Sequence, residues 1–490
     1  MASADKSTMR TPEIREGNKV DVLIVGAGLS GLTAALRLQQ RDPTLKMRVL
    51  EAVDFIGGQV TTTRLGELGA KWFTPDQKHM FELLRNLNIP MARRVIMAAE
   101  LETCSQIDEN RLSPLIHFEL DRYITELDLR WQFFKPGNKG DRKLGPMSAH
   151  INHRLFFNDS RLFMRNLVLI ISGVEAEHIS YADFMRICYT AGGIKTLYKI
   201  FVEAPPGDVI EFSGNELFKR LLQMLDKTQF VYGRDVIEVH QYRSHVEVRD
   251  IANESHTADV VILAIPFNNL KRIYFWPRLP REMERPLKTR NSFQYVVTSF
   301  LARYADGHWR RKGFNGDYIG IDPLMICHEY RPQIYCGYVI LEKGLEALTR
   351  TLVLQRLAGY YGNEMLSPLE FQQRSHEVSN KDHLPLTTPW SRVIWASSAA
   401  AGTCFRGCLS GAVQSGLRAA MNALLVLRPQ LVTWKDIADV QCRDMPREQA
   451  SVFTLWLSTL NLYNVATYTA FITGLIFVLN RFYKRPSSVT

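Results

Sequence analysis

Three glycines near the start of the chain have the spacing that a dinucleotide site requires. An apolar strand over 20–25 leads directly into Gly26, Gly28 and Gly31, and an amphipathic helix follows. The first glycine permits a tight turn, the second lets backbone amides approach a pyrophosphate, and the third lets the helix pack against the sheet. The helix N-terminus favours the phosphate charge. We predict a dinucleotide site at this turn, with a purely structural glycine turn as the alternative.

An acidic residue and a second glycine pair decide which dinucleotide is expected. The next strand, 47–50, ends at Glu51. This is about 20 residues past the last glycine, where a carboxylate can accept hydrogen bonds from ribose hydroxyls. An acid at this position disfavours a 2′-phosphate. The pair Gly57-Gly58 follows closely, which suits a chain that packs against FAD, and we therefore predict FAD rather than a nicotinamide cofactor.

Composition limits the class of protein. With 490 residues, 46% of them hydrophobic, the chain is expected to form two domains plus an appendage. Its formal charge is +10, but the basic residues are scattered, which argues against a nucleic-acid site. Seven cysteines without a C-x-x-C pair argue against a secreted disulfide framework and predict reduced thiols in a cytosolic body.

The C-terminal tail contains an apolar run. No charged residue occurs between Glu448 and Arg481, and 461–480 supplies about 20 mainly apolar residues, enough to span a bilayer. The first nineteen residues are polar and contain no secretory signal. We therefore expect a transmembrane helix at about 461–480 that inserts as a tail anchor with the body facing the cytosol. The alternative is a buried or interfacial core helix.

Strand and helix patterns alternate along the chain in a way that predicts a discontinuous fold. Strand-like segments return after 205, the run 260–265 indicates another fully buried strand, and a helix opens at Gly411. The expected organisation is a polar arm (1–19), an FAD-binding domain, a substrate domain and a C-terminal tail (441–490). The FAD domain comprises 20–87, 206–290 and 386–440, and the substrate domain comprises 88–205 and 291–385.

Several motifs in order resemble the flavin-containing amine oxidases, and within them the monoamine oxidases. The similar segments include VLIVGAGLSGLTAALRL, VLEAVDFIGGQV, ADVVILAIP and RGCLSGAVQSGLRAA, and they extend over nearly the whole chain. The resemblance implies an α/β fold with a glutathione-reductase-like, Rossmann-type FAD domain and a mixed-sheet α+β substrate domain. It also implies the mitochondrial outer membrane as the location, with the endoplasmic reticulum as the alternative.

The resemblance assigns site residues by position. Gly337 and Tyr338 correspond to a strand that lines the substrate cavity. The positions expected to bind the cofactor are Gly26, Gly28, Ser30, Gly31, Glu51, Ala52, Gly57, Gly58, Gln59, Val236, Ala399, Gly411, Ala412 and Val413.

The chain departs from the family pattern at the catalytic positions. Ser299 stands where the family has a lysine, and Cys408 stands where it has one of two tyrosines that enclose the amine. The second tyrosine falls in a shortened loop around 383–385. Ser299 and Cys408 are our candidate catalytic residues.

The cofactor contacts also differ from the family pattern. The segment 361–398 contains no cysteine, so the resemblance implies FAD without the thioether link that the family makes there. A Gly-Thr-Glu motif is replaced by Ser397-Ser398-Ala399, and a Gly-Gly-Arg motif by Gly57-Gly58-Gln59.

The function implied is oxidative deamination of an amine with FAD and oxygen, giving peroxide, at an altered or reduced rate. One alternative is a catalytically silent, membrane-anchored flavoprotein that acts as a binding or scaffold protein. Another is a flavin oxidase of a different hydrophobic substrate. The expected partners are a small amine, oxygen and a lipid bilayer contacted by the C-terminal helix. No nucleic-acid partner and no metal are expected, and a homodimer is left open.

Overall fold

The structure is a computed structural model that describes residues 19–94, 113–134, 145–205, 207–288, 295–378, 386–402, 405–441, 451–458 and 462–483. The predicted polar arm and the shortened loop around 383–385 lie almost wholly outside these residues. The strands in chain order are β1 (Lys19–Val25), β2 (Met47–Leu50), β3 (Thr62–Thr63), β4 (Gly66–Glu67), β5 (Trp72–Phe73), β6 (Met91–Arg93), β7 (Ile210–Phe212), β8 (Gln229–Val231), β9 (Val236–Gln241), β10 (Val246–Asp250), β11 (Ser255–Leu263), β12 (Tyr274–Trp276), β13 (Tyr295–Arg303), β14 (Tyr318–Ile321), β15 (Leu324–Arg331), β16 (Ile334–Glu342), β17 (Glu370–Glu377) and β18 (Val393–Trp395).

The helices of the described residues begin after β1 and continue to the end of the described chain. They are α1 (Leu29–Arg41), α2 (Lys78–Asn86), α3 (Pro114–Leu129), α4 (Met147–Arg154), α5 (Asn158–Ser172), α6 (Tyr181–Thr190), α7 (Ile194–Tyr198), α8 (Gly214–Met224), α9 (Phe267–Leu270), α10 (Arg281–Lys288), α11 (His308–Arg311), α12 (Thr349–Tyr361), α13 (Leu409–Leu427), α14 (Trp434–Val440), α15 (Val452–Ser458) and α16 (Leu462–Tyr483).

The larger sheet carries the dinucleotide turn. Within the described residues it has eight strands, in the order β12-β9-β10-β11-β1-β2-β8, with β18 paired to β11. The central pairs β1–β11, β1–β2 and β11–β18 are parallel. Val22, Leu23 and Ile24 of β1 are fully buried, because helices and strands cover both faces of a parallel sheet. The strands come from three separate stretches of the chain.

Helices α1 and α13 pack closely against each other on this sheet. A Cβ atom at Gly416 of α13 would lie 2.4 Å from the Ser30 carbonyl oxygen of α1, so a side chain here would push the helices apart. The following helix α14 is fixed to α1 by ion pairs from Asp436 to Arg37 at 3.3 Å and to Arg41 at 2.8 Å. These ion pairs hold α14, which follows α13 in the chain, against α1.

The second sheet separates two apolar clusters. Its order is β14-β15-β16-β13-β17, and every described pairing in it is antiparallel. The sheet was expected to be mixed, and the difference arises because short hairpins join β14, β15 and β16. One face packs on α12, and the other packs on helices α3 to α7 through a set of apolar residues that we call the helical cluster. Its members include Leu120, Phe163, Leu167, Phe184, Leu197, Ile326 and Ile340.

The C-terminal tail was expected to contain a membrane-spanning helix. Among the residues that the structure describes, no helix combines the length and the apolar character needed to cross a bilayer. The membrane span predicted at about 461–480 is therefore not supported. The helix found there is α16. The predicted lipid contact and choice of organelle gain no support from it.

Candidate cofactor and active site

The glycine turn after β1 is required by the fold at two positions. Gly26 has φ +104°, and a Cβ atom there would lie 2.6 Å from the Ala264 carbonyl oxygen of the neighbouring chain. A Cβ atom at Gly31 would lie 3.2 Å from a methyl group of Ile24 and 2.1 Å from the Gly26 carbonyl oxygen. These two glycines let α1 start directly over the sheet.

Gly28 differs from Gly26 and Gly31, because a side chain at this position would not clash with the rest of the protein. Its backbone is extended, with φ −80°, and it caps α1 without a side chain. A Cβ atom at Gly28 would meet only the Gly58 Cα atom, at 4.0 Å. The Gly57 amide donates to the Ala27 carbonyl oxygen at 3.0 Å, which holds the second glycine turn opposite the first. A dinucleotide diphosphate placed beside Gly28 would lie against the N-terminal amides of α1.

Glu51 lies at the end of β2, beside this space. Its Oε2 atom accepts a hydrogen bond from the Ala27 amide at 2.7 Å, which fixes the carboxylate over the turn. Its own carbonyl oxygen accepts from the Arg234 amide at 2.9 Å. This bond brings the start of β9, with the buried Val236, next to the acid. Ala52 is exposed in the same segment.

The predicted cofactor residues from the late segments lie in the loop before α13 and at the start of that helix. Ala399 is buried, and its carbonyl oxygen accepts from Arg406 Nε at 2.9 Å. A Cβ atom at Gly411 would lie 2.4 Å from the Phe405 carbonyl oxygen, so this glycine lets the loop before α13 pack closely. Ala412 and Val413 belong to the apolar core shared with α1.

The middle strands of the second sheet bring Ser299 next to two residues that are distant in sequence. In the antiparallel register Ser299 is paired with Tyr338 of β16 and with Arg374 of β17. Directly paired residues project from the same face of a sheet. We call Tyr338, Ser299 and Arg374 the Ser299 row.

The side chains of the Ser299 row project from the sheet face that packs on the helical cluster, opposite to the face that packs on α12. Tyr338 contacts the helical cluster, as does the partly buried Cys408 at the start of α13. The Tyr338 hydroxyl donates to the Phe201 carbonyl oxygen at 2.5 Å, and burial raises the pKa of this phenol, so the ring is neutral and fixed in orientation. A Cβ atom at the neighbouring Gly337 would lie 2.4 Å from the Ile326 carbonyl oxygen, which gives that glycine a packing role.

At the other end of the row, Arg374 contacts the segment around the second glycine turn, Gly57-Gly58, which we call the cofactor turn. Its guanidinium donates to the Thr61 hydroxyl and lies 4.6 Å from the centre of the Phe55 ring. The sequence analysis missed this residue, because nothing in its local pattern points to a segment more than three hundred residues earlier. His376 lies two residues further along the same face, and burial, followed by the Arg374 charge, lowers its pKa to about 4.

Cys408 stands at the junction between α13 and the helices of the substrate side. It is the N-cap residue of α13, and its amide donates to the Phe405 carbonyl oxygen at 2.9 Å. A Cβ atom at Gly192 would lie 2.4 Å from the Phe405 ring, so this turn packs tightly on the end of α6. The structure thus brings Cys408 and Tyr338 to one apolar cluster, while Ser299 lies beside Tyr338 in the row.

These features define a class of protein: a dinucleotide-binding α/β domain joined to an antiparallel sheet that faces the cofactor turn. Comparison with known families gives the particular family. A family profile described as flavin containing amine oxidoreductase matches residues 29–424, and the chain belongs to this family. The protein is therefore a flavoprotein oxidoreductase, and the FAD cofactor predicted from the two glycine turns is confirmed.

Individual relatives are similar over most of their length. The chain is 26% identical over 478 residues to flavin-containing amine oxidase B of Homo sapiens, covering 83% of this chain and 86% of that one. It is 22% identical over 445 residues to a probable flavin-containing monoamine oxidase A of Dictyostelium discoideum, covering 81% of this chain and 96% of that one. The resemblance to the monoamine oxidases is confirmed.

Solved structures share the fold. A cyclohexylamine oxidase from Brevibacterium oxydans matches with a TM-score of 0.66 at 17% identity, over 83% of this chain and 99% of that one. A putrescine oxidase bound to putrescine matches with a TM-score of 0.64 at 22% identity, over 82% of this chain and 98% of that one. At 17% and 22% identity, these two matches support the shared fold and no further property.

Proposed function

We propose that the protein oxidises a small amine with FAD and oxygen, at a rate or with a substrate choice that differs from its relatives. The observation that carries the proposal is the contact between the Ser299 row and the cofactor turn, through Arg374 and Thr61. This contact joins the sheet face that carries Ser299 and Tyr338 to the turn expected to hold FAD. A substrate amine lying against that face would be close to the cofactor.

When bound, FAD supplies the acceptor for the hydrogen and electron pair that leave the amine α-carbon, and oxygen then takes both electrons as peroxide. The product imine hydrolyses in water to a carbonyl compound and ammonia or a shortened amine. The chain's own residues would orient the amine and exclude water. The helical cluster beside Tyr338 and Cys408 is apolar, and an apolar wall favours the neutral amine over the ammonium ion.

The departures from the family pattern are the reason to expect altered chemistry. A serine hydroxyl at Ser299 is much shorter than a lysine side chain, and a thiol at Cys408 cannot replace the face of a tyrosine ring. Loss of one well-positioned polar group commonly lowers a rate by about 100-fold or more. We therefore expect turnover below the level of relatives that keep these groups.

The test is reduction of the bound flavin by amines without oxygen. The purified flavoprotein is mixed anaerobically with aryl-alkyl amines, aliphatic diamines and polyamines, and flavin absorbance is followed; air is then admitted and peroxide is measured. We expect slow bleaching by at least one class and one peroxide per flavin reduced. The Gly28→Val protein, which should lack FAD, is the control for peroxide from other sources.

A second candidate, from a different class, is a silent flavoprotein that binds partners without turnover. The same replacements at Ser299 and Cys408 favour it. Complete absence of bleaching across the panel, with FAD bound, would support this candidate and contradict amine oxidation. Bleaching by hydrophobic compounds that lack an amine would instead support an oxidase of another substrate class.

A further inference from the structure

The two glycine turns expected to hold the FAD diphosphate contain no positive side chain. Residues 26–36 carry no charged group, and 51–63 carry only the two acids Glu51 and Asp54. The diphosphate of FAD is an anion, and Glu51 places a carboxylate beside it. Backbone amides and the α1 terminus offset part of this charge. A guanidinium would complete the site, because it binds phosphate oxygens through paired donors.

The residue after the second glycine pair does not supply this group. Position 59 is glutamine, its side chain is uncharged, and the residue is exposed. Its carbonyl oxygen is engaged with the Ala70 amide at 2.9 Å. The nearest basic residue along the chain, Arg64, points to another partner and pairs with Glu370 at 2.6 Å. A cation at the turn must therefore come from elsewhere in the fold.

Arg374 reaches the turn from the second sheet. Its guanidinium donates to the Thr61 hydroxyl, which in turn donates to the Gly58 carbonyl oxygen at 3.3 Å. The Phe55 ring packs 4.6 Å from the guanidinium carbon, a cation–π contact that holds the group in place. Arg374 is thus fixed from two sides, by residues that flank Gly57 and Gly58.

The electrostatic surroundings agree with this position. Burial lowers the pKa of Arg374, and the negative charge of Glu51 opposes the shift. The Arg374 guanidinium therefore interacts electrostatically with Glu51, which lies over the first glycine turn, although the two residues belong to different domains. A partly desolvated cation with one hydroxyl partner retains donors for an anionic ligand.

We propose that Arg374 is the cationic contact of the FAD diphosphate, taking from the substrate-side sheet the role that position 59 does not fill. The inference rests on the FAD site of the proposed function. It also makes cofactor binding depend on docking of the second sheet, because the cation is on β17 and the glycine turns are on the first domain.

The experiment is a titration of the flavin-free, full-length protein with FAD, followed by quenching of flavin fluorescence at low and high salt. For Arg374→Gln we expect affinity to fall about 10- to 100-fold, the usual effect of losing a hydrogen-bonded charge. Arg374→Lys should be intermediate, because it keeps the charge but not the paired donors. Salt should weaken FAD binding more in the wild type than in Arg374→Gln, since ions screen the lost attraction.

A matched control and a rescue sharpen the test. Arg220→Gln removes an exposed arginine of the first domain that contacts Gln223 of its own helix, and it should leave FAD affinity unchanged. Adding Gln59→Arg to Arg374→Gln should recover affinity, because a cation is restored beside the turn. Unfolding midpoints of the flavin-free proteins check that each variant is folded.

Unchanged FAD affinity in folded Arg374→Gln, or equal losses in Arg374→Gln and Arg374→Lys without rescue by Gln59→Arg, would overturn the inference. These outcomes are separate from failure of the proposed function. If the wild-type protein binds FAD and no amine reduces it, the amine oxidase proposal fails while the role of Arg374 can still be measured.

Discussion

Ser299 and Arg374 are directly paired residues on the adjacent antiparallel strands β13 and β17. The residue at the family's lysine position therefore lies beside a guanidinium that points to the cofactor turn. Any lysine introduced at Ser299 would face this positive charge. The candidate catalytic position and the proposed cofactor cation therefore lie on one strand pair.

Restoring the two family groups should raise the rate and, because of this repulsion, lower the folding stability. We expect Ser299→Lys with Cys408→Tyr to increase anaerobic flavin reduction by amines relative to the unmodified protein. Like charges directly opposite each other on paired strands are destabilising, so Ser299→Lys should lower the unfolding midpoint. The matched control Ser299→Gln adds length without charge and should do neither. A rate that does not rise, in folded protein with FAD bound, would show that other groups limit the reaction.

Gly28→Val should abolish FAD binding while leaving the fold intact. The Gly28 backbone is extended, and a Cβ atom meets only the Gly58 Cα atom at 4.0 Å, so the flavin-free protein can accept a side chain. The branched side chain would fill the space that the diphosphate requires. Flavin absorbance of the purified protein and its unfolding midpoint without FAD measure the two effects separately.

Two other glycines serve as controls for that prediction. Gly31→Ala puts a Cβ atom 2.1 Å from the Gly26 carbonyl oxygen, so it should destabilise even the flavin-free protein, by about 1–3 kcal/mol. Gly145→Ala meets nothing within 4 Å and should change neither property. Stoichiometric FAD in Gly28→Val would refute the site assignment.

Acid precipitation should release all the flavin into solution. A thioether to the flavin needs a cysteine beside the ring, and the segment 361–398 contains none. The measurement is flavin absorbance in the supernatant and in the washed pellet after trichloroacetic acid treatment. Yellow colour that stays with the pellet would mean that a cysteine elsewhere in the chain is bonded to FAD.

Stability should fall on acidification because of a buried histidine in the substrate-side helices. His150 Nδ1 lies 2.7 Å from the Tyr123 hydroxyl, and the ring stacks on Tyr181 at 4.1 Å between centroids. Burial, followed by the charges of Arg154 and Arg130, lowers the pKa of His150 to about 3. The unfolded chain binds a proton near pH 6.5 and the folded chain does not. Stability from this group is therefore complete above that pH and is lost as pH falls toward 3.

Chemical denaturation at several pH values measures this effect. The group contributes a slope of up to about 1.4 kcal/mol per pH unit between its unfolded and folded pKa values. His150→Asn keeps a polar atom near the Tyr123 hydroxyl but cannot titrate in this range, so the slope should decrease. Asn152→Ala, at an exposed residue of the same helix that does not titrate, is the control and should leave the slope unchanged. The same slope in all three proteins would contradict this assignment.

The local sequence was sufficient to predict the first half of the cofactor site. The order of strand, glycine turn, helix and acid is determined by steric and hydrogen-bonding demands within about thirty residues. The two clashes at Gly26 and Gly31 are therefore visible from spacing alone. Hydrophobic runs likewise predicted the buried parallel strands, because both faces of such strands must be apolar. The membrane span predicted for the tail gains no support from the described residues.

The neighbours of the catalytic position were decided only by the tertiary structure. Arg374 and Thr61 are 313 residues apart in sequence, and their contact depends on which strands pair and in which register. A shift of one residue in β17 would turn Arg374 to the opposite face. Neither arginine spacing nor composition contains that information. The sequence by itself determined that this protein has a dinucleotide turn with an acid beside it. The folded sheet determined which cation faces that turn, because strand register is set by packing against two apolar clusters rather than by local residue order.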